Sequence, residues 1–437
     1  MFIQKLLIAS LLGIISVACF AEPDEPSMEV ATVDNAQYAR LPATLTLEEA
    51  ISRTLAKNPQ LYQFRFRQQG LAAQRQAMGF SRPVQMEFDV ENIAGSGTYS
   101  DAENVEMTLA LSSVIELGGK AKSRVALVDA KSEHLEYERQ ASTLDVLGAL
   151  NALFIQCLST QERVELAEEG VKLAKEMLNT VAQRSSKGAA PEADALRARA
   201  ALAGAKLRLE ALRRKLSAQK IELASFWGQS KPNFASLSGS LSEFDSSDSF
   251  ASLFQRAKNS PSIGVFASEA RLKDAEIKLA RAQSRVDVGW RLGVRQFEET
   301  NDTALVAGVS IPLFSGNRNQ PAIAAARSER KVVEYLQAEA ILKLRSRLYD
   351  AFAQREANIY AVEEIRFNIL PFLQQALELT GEAYENGRYP YQNWISAQQD
   401  LLAAKRHLIE ASTAAQLSQA LIEQLVAEPL SGRTTAP

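Results

Sequence analysis

His134, His407, Cys19 and Cys157 are the only histidines and cysteines among 437 residues. A zinc centre takes three or four such ligands at short spacing, so a His/Cys metal cluster is excluded, and so is a disulfide framework. No Gly-x-x-x-x-Gly-Lys-Ser/Thr loop is present to cradle a nucleotide phosphate. Two histidines suggest no nucleophile–base pair, so the chain reads as no enzyme and as needing no cofactor. The charges that do fall in a pattern are Glu87, Asp89, Glu91, Glu106, Asp287, Arg291 and Arg295. They occupy alternate positions in segments whose other residues are apolar. Such a face is a solvated wall, and its mixed signs predict little selectivity. With 49 Lys+Arg against 52 Asp+Glu the net charge is -3, so a basic nucleic-acid binder is also excluded.

The elements that must carry these charges are strands. Val84, Met86, Phe88 and Val90 alternate with polar residues, as do Val105, Met107, Leu109 and Leu111 across a Gly95-Ser96-Gly97 loop. Val286, Val288, Trp290, Leu292 and Val294 repeat the pattern, followed after a polar turn by Leu305, Ala307, Val309 and Ile311. Alternation at period two marks strands with one apolar face, expected at about 84–93, 103–113, 286–297 and 303–313. Each is about ten residues, the length of a tilted strand crossing an outer membrane. Four strands cannot close a barrel, because about eight is the smallest usual count. An open sheet in lipid leaves its edges unpaired at several kcal/mol per group, so several chains must contribute strands to one ring.

Met1 to Ala21 reads as a secretory signal: Lys5, an apolar core from Leu6 to Val17, and Cys19-Phe20-Ala21 before Glu22. Lipid attachment at Cys19 ranks lower, because Ser16-Val17-Ala18-Cys19 lacks the usual Leu three residues before the Cys. No later run of about 18 apolar residues is evident, so no helix is expected to span a bilayer.

The rest is helical. From about Lys120 to Arg184 there is no Pro, enough for a rod of roughly 100 Å, and Val164, Ala167, Val171, Ala174, Leu178 and Val181 form a coiled-coil seam. A second rod runs from about Ala322 to Asn386, with Pro371 expected to kink or break it. Gly188-Ala189-Ala190-Pro191 aligns with Gly387-Arg388-Tyr389-Pro390, and Ala198, Leu202, Lys206 and Leu209 align with Ala397, Leu401, Lys405 and Leu408 at the same offset. Gly ends one helix and Pro opens the next. The chain is therefore mainly α with a small β part, built from two internal repeats of long helical hairpin plus β-hairpin. The expected division is a signal at 1–21, a first repeat at 22–228, a Ser- and Gly-rich linker at 229–249, a second repeat at 250–428 and an irregular tail at 429–437.

These features resemble the TolC-type outer-membrane efflux factors. Leu45-Thr46-Leu47-Glu48-Glu49-Ala50 through Asn58-Pro59 resembles the opening helix of that family. Ile115-Glu116-Leu117-Gly118-Gly119-Lys120 and Ser310-Ile311-Pro312-Leu313-Phe314 resemble its two strand-to-helix junctions. Asn317-Arg318-Asn319-Gln320 and Leu370-Pro371 resemble the heavy-metal branch, which serves cobalt–zinc–cadmium type exporters.

The resemblance implies a homotrimer in outer-membrane lipid, with a 12-stranded barrel continued by a periplasmic α-helical tunnel. It also implies docking through a periplasmic adaptor, or membrane fusion protein, onto an inner-membrane resistance–nodulation–division pump. Glu87, Asp89, Glu106, Asp287, Arg291 and Arg295 would then face the barrel lumen. The turns at Lys187, Gly188 and Pro191 and at Gly387, Arg388 and Pro390 would be the adaptor-docking tips. Tyr384 matches the tyrosine at the family's constriction. The family's acidic positions there hold Asn393 and Ser396, and Glu192 and Asp194 could supply charge instead. A drug-efflux or type I secretion exit duct, and a soluble periplasmic coiled-coil adaptor or scaffold, are the alternative readings.

Overall fold

A computed structural model of the chain describes residues 44–93, 95–99, 104–244, 248–313 and 319–428. The expected signal, Cys19, Phe314, Asn317-Arg318 and the tail lie outside these residues. Each half opens with two helices. Helix α1 (Leu47–Lys57) gives way to α2 (Pro59–Gly79) at Asn58, whose side chain accepts from the backbone N–H groups of Gln60 and Leu61 while Pro59 opens the next helix. After strands β2 (Gln85–Glu91) and β3 (Glu106–Ile115), helix α3 (Lys120–Ser186) runs unbroken for 67 residues, about 100 Å, and α4 (Glu192–Ser225) returns along it. The second half repeats the order with α5 (Phe250–Lys258), α6 (Pro261–Gln283), strands β5 (Val288–Phe297) and β6 (Thr303–Ser310), α7 (Gln320–Glu364), α8 (Leu370–Glu385) and the returning α9 (Tyr391–Val426). The short strands β1 (Thr44–Leu45) and β4 (Ser236–Leu237) pair in parallel.

Between α7 and α8 the rod passes through a π turn, Ile365–Ile369. Pro371 has no N–H and its ring crowds the preceding turn. The chain answers by widening: the Leu370 N–H reaches back five residues to the Ile365 carbonyl. The proline therefore neither ends the rod nor sits in plain α-helix.

One stretch of α3 is long and apolar enough to cross a bilayer, contrary to the sequence expectation. Between Asp145 and Glu162 it carries no charge. Its apolarity is used inside the protein: Leu150, Phe154 and Cys157 are buried against Leu45, Leu223, Trp227, Leu237 and Ile409. A second core joins α5, α7 and α9 through Leu253, Ala257, Leu344, Leu348 and Ile422.

The larger sheet has the order β2 (Gln85–Glu91), β3 (Glu106–Ile115), β5 (Val288–Phe297), β6 (Thr303–Ser310), antiparallel throughout. Register stacks Phe88 on Leu109, Leu109 on Val294 and Val294 on Leu305. One face is thus a continuous apolar surface left open by the chain itself: Met86 is 75% exposed, Phe88 62% and Leu305 82%. Water does not tolerate such a patch without a covering partner or lipid. Strands β2 and β6 are edges with no strand beyond them among the described residues.

Gly293 sits opposite Ala110 in the centre of the sheet. A Cβ there would lie 2.7 Å from both the Ala110 Cβ and the Leu109 carbonyl oxygen. The obstacle is largely backbone, so the substitution Gly293→Val is expected to destabilise the sheet by roughly 1–3 kcal/mol. Thermal unfolding of the detergent-solubilised protein measures this, and a melting temperature equal to that of the unchanged protein would contradict the close approach.

Candidate functional site

The polar face of the sheet brings charges from three strands together. Arg291 on β5 reaches across β3 to Glu87 on β2, Nε to Oε2 at 3.3 Å, and also pairs with Asp89. Arg295 pairs with Glu91 and with Glu106, each at 2.6 Å, and donates from Nε to the Thr108 hydroxyl at 2.9 Å. The reach is possible because β3 offers small residues there: Thr108 and Ala110 lie buried beneath the guanidinium arms. Two arginines thus serve four carboxylates. On β6 the same face carries Ala304, Val306, Gly308 and Ser310, with no charge.

At the foot of the sheet Asp287 precedes β5 and belongs to a different constellation. It pairs with Lys120 at 2.7 Å and accepts from the Leu117 N–H at 3.1 Å, tying the start of α3 to the second hairpin. Gly118 and Gly119 take positive φ (76° and 70°) to turn the chain from strand to helix, and a Cβ at Gly118 would collide with the Arg285 side chain. Glu116 accepts two bonds from Arg124 at 2.8 Å and one from Arg82 at 3.1 Å. Arg124 above all holds its carboxyl below the usual range against the opposing effect of burial. Glu116 therefore stays ionised, and what its ion pairs contribute is lost only as pH falls through that lowered pKa.

At the far end of the rods the two Gly turns are alike. Gly188 and Gly387 have φ of 74° and 73°, and Lys187, Gly188, Pro191, Gly387, Arg388 and Pro390 are all exposed. Behind them lies a small core of Met177, Val181, Ala195, Ala198, Tyr384 and Tyr391. Tyr384 does not project into open space within the chain; it is 4% exposed, stacked on Trp394 with ring centroids 5.3 Å apart. Among the described residues its hydroxyl meets no partner at full hydrogen-bond geometry, although the Arg184 guanidinium lies close enough to act on it. Burial pushes its phenol up, with the Arg184 charge opposing.

Arg184, in the last turn of α3, lies over the Tyr384 ring at 5.0 Å. It donates to the Glu385 carbonyl and, at 3.4 Å, to the Ala189 carbonyl. One guanidinium therefore touches both tips. Asn393 and Glu192 are exposed, Ser396 is half-buried, and Asp194 is half-buried with Arg197 3.4 Å away. Of these four, Asp194 lies near enough for its charge to push the phenols of Tyr384 and Tyr391 up. Sequence reasoning missed Arg184 and Trp394. The residue aligned with Arg184 in the second repeat is Ala383, so the duplication gave no signal for it.

The remaining chemistry-bearing side chains are occupied. His134 hydrogen-bonds to Ser268 at 2.9 Å, and His407 lies 3.2 Å from Glu410. Cys157 is fully buried, and its thiol is pushed up to about 12. Among the described residues no group of three His, Cys, Asp or Glu is placed to hold a metal ion.

A family profile described as "outer membrane efflux protein" matches residues 50–229. The chain is 26% identical over 293 residues to the cobalt-zinc-cadmium resistance protein CzcC of Cupriavidus metallidurans, covering 67% of this chain and 70% of that one. It is 24% identical over 226 residues to the nickel-cobalt-cadmium resistance protein NccC of Alcaligenes xylosoxydans xylosoxydans, covering 51% and 50%. Among solved structures it is similar to CusC, with a TM-score of 0.72 at 16% identity over 87% of this chain and 91% of that one, a likeness of fold.

The tip makes a paired prediction. Tyr384→Phe removes a buried hydroxyl without a well-formed hydrogen bond and should leave stability unchanged or slightly raised. Arg184→Ala removes a cation–π contact and two charged hydrogen bonds and should cost about 2 kcal/mol. Denaturant titration of both variants checks the contrast; the reverse order of effects would mean that the hydroxyl, not the guanidinium, joins the tips.

Proposed function

Because this chain belongs to the outer membrane efflux protein family, we propose that it is the passive exit duct of a tripartite efflux system carrying heavy-metal cations out of the cell. The observation that carries the reading is the sheet: four strands with a lipid-compatible face and two open edges, mounted on helical rods about 100 Å long. The chain lies in the outer membrane of a Gram-negative bacterium, with its helices extending into the periplasm. Channel proteins of this family catalyse no reaction on their cargo, and none is assigned to this chain. Three copies give twelve strands, pairing β6 of one chain with β2 of the next and leaving no edge in lipid.

In that ring the polar sheet face lines the lumen. Glu87, Asp89, Glu91 and Glu106 exceed Arg291 and Arg295 by two charges per chain. The surplus favours cations without gripping them, which suits a wide wet passage for metal ions handed over upstream. Energy comes from an inner-membrane resistance–nodulation–division pump, coupled through a periplasmic adaptor that meets the exposed turns at Gly188 and Gly387. Arg184 and Tyr384 set how the two tips of each chain lie together, and thereby the width of the tunnel mouth.

Two measurements test the duct. Phe88→Arg or Leu109→Arg puts a charge on the lipid face at a cost of about 2–4 kcal/mol. The amount of heat-modifiable trimer in the outer membrane should fall sharply, and a normal yield would count against membrane strands. Arg291→Gln should strengthen cation preference, read as a larger reversal potential across a salt gradient in planar bilayers. An unchanged reversal potential would take this face out of the lumen.

A further inference from the structure

Where the sheet meets the helices, a cavity of about 370 Å³ opens on the sheet's polar side. Val114, Gly289 and Ser310, one register row of β3, β5 and β6, form part of its wall. They share the face that carries Arg291 and Arg295, so the cavity opens to the water side of the sheet and not to the lipid side. Lys120, Arg285 and Asp287 bring charge into it. Lys120 and Asp287 neutralise one another across 2.7 Å. Glu116, the other carboxylate of this junction, is taken by Arg82 and Arg124. Among the described residues no carboxylate pairs with Arg285, which is exposed and leaves the cavity with one surplus positive charge. The residue is nonetheless held in place. Its N–H bonds to the Ala282 carbonyl at 3.0 Å, and its stem crosses Gly118, where a Cβ would stand 2.5 Å from the Arg285 Cγ. Only a bare backbone at 118 leaves room for that stem.

We propose that Arg285 is a specificity-determining residue of the duct: its three copies form a positive collar at the foot of the barrel, which admits anions below a wall that prefers cations. This rests on the duct reading given above. Along the chain the order is Arg285, then the neutral Lys120–Asp287 pair, then the clusters of Arg291 and Arg295 with their two surplus carboxylates. Arg291 stands six residues beyond Arg285, at most about 22 Å away. The passage therefore runs from positive to negative fixed charge along its axis. A pore charged in this order conducts unequally in its two directions, because one polarity fills it with ions of both signs and the other drains it. Divalent cations leaving through it keep their counter-anions beside them.

The test uses the full-length trimer, inserted into planar bilayers from one chamber. Rods of about 100 Å do not follow the strands through lipid, so every channel faces the same way. In about 0.01 M KCl, where charge acts over about 30 Å, the current should be larger when the chamber facing the strands is positive. That polarity drives cations in past the acidic wall and anions in past the collar. In about 1 M KCl screening shortens to about 3 Å and the asymmetry should vanish. At low salt Arg285→Gln should bring the two currents closer together, and Arg285→Lys should keep them apart, a dependence on charge that a merely structural role would not produce. Equal currents at low salt, asymmetry of the opposite polarity, or asymmetry undiminished in Arg285→Gln overturns the proposal. A channel that conducts equally in both directions defeats only the collar, and a preparation that never conducts defeats the duct.

Discussion

An antiparallel sheet with two bare edges cannot rest in hydrocarbon, and much of the molecule follows from that constraint. Each unpaired backbone group in lipid costs several kcal/mol, far more than any side-chain contact in the chain returns. The edges at β2 and β6 must therefore find other copies, and the helices attached to every hairpin are drawn into the same ring. Long rods packed through Ala and Gly become useful only when neighbours are held close on both sides.

The polar side of the sheet shows how a narrow wall accommodates charge. Large side chains on β3 would keep β5 and β2 apart. Thr108, Ala110 and Ser112 instead form a low middle strand over which two arginines lie flat. Their charges are shared sideways with carboxylates rather than pointed at the passage. In the duct proposed above, a wall of this kind would stay wet, keep a mild negative potential and present no single strong site at which a cation would stall. That property belongs to a conduit, where a tight ligand set would slow the flow.

Much of this was legible in the sequence. Met86, Phe88, Leu109 and Leu292 alternate strictly because one face meets apolar surroundings and the other water, and that pattern needs no tertiary information. The Gly-x-x-Pro turns were equally plain, since glycine takes the left-handed backbone at 188 and 387 at the least cost. What escaped depends on residues distant in sequence. Arg184 meets Glu385 across two rods, and Arg291 meets Glu87 across an intervening strand. The ring of Tyr384 is packed in the tip core of its own chain. No spacing rule announces such a stack. Pro371 pointed to an irregular rod, and the irregularity is the π turn just before it: a residue without an N–H leaves a carbonyl of the preceding turn without its usual donor.

The π turn at Ile365–Ile369 has no counterpart in the continuous first rod. One extra residue in a turn swings everything beyond it by about 100° around the axis. The two rods of one chain therefore reach their alike Gly turns by different backbone routes, one uniform and one stepped. A partner lying along both would meet two unlike surfaces on the way to the tips.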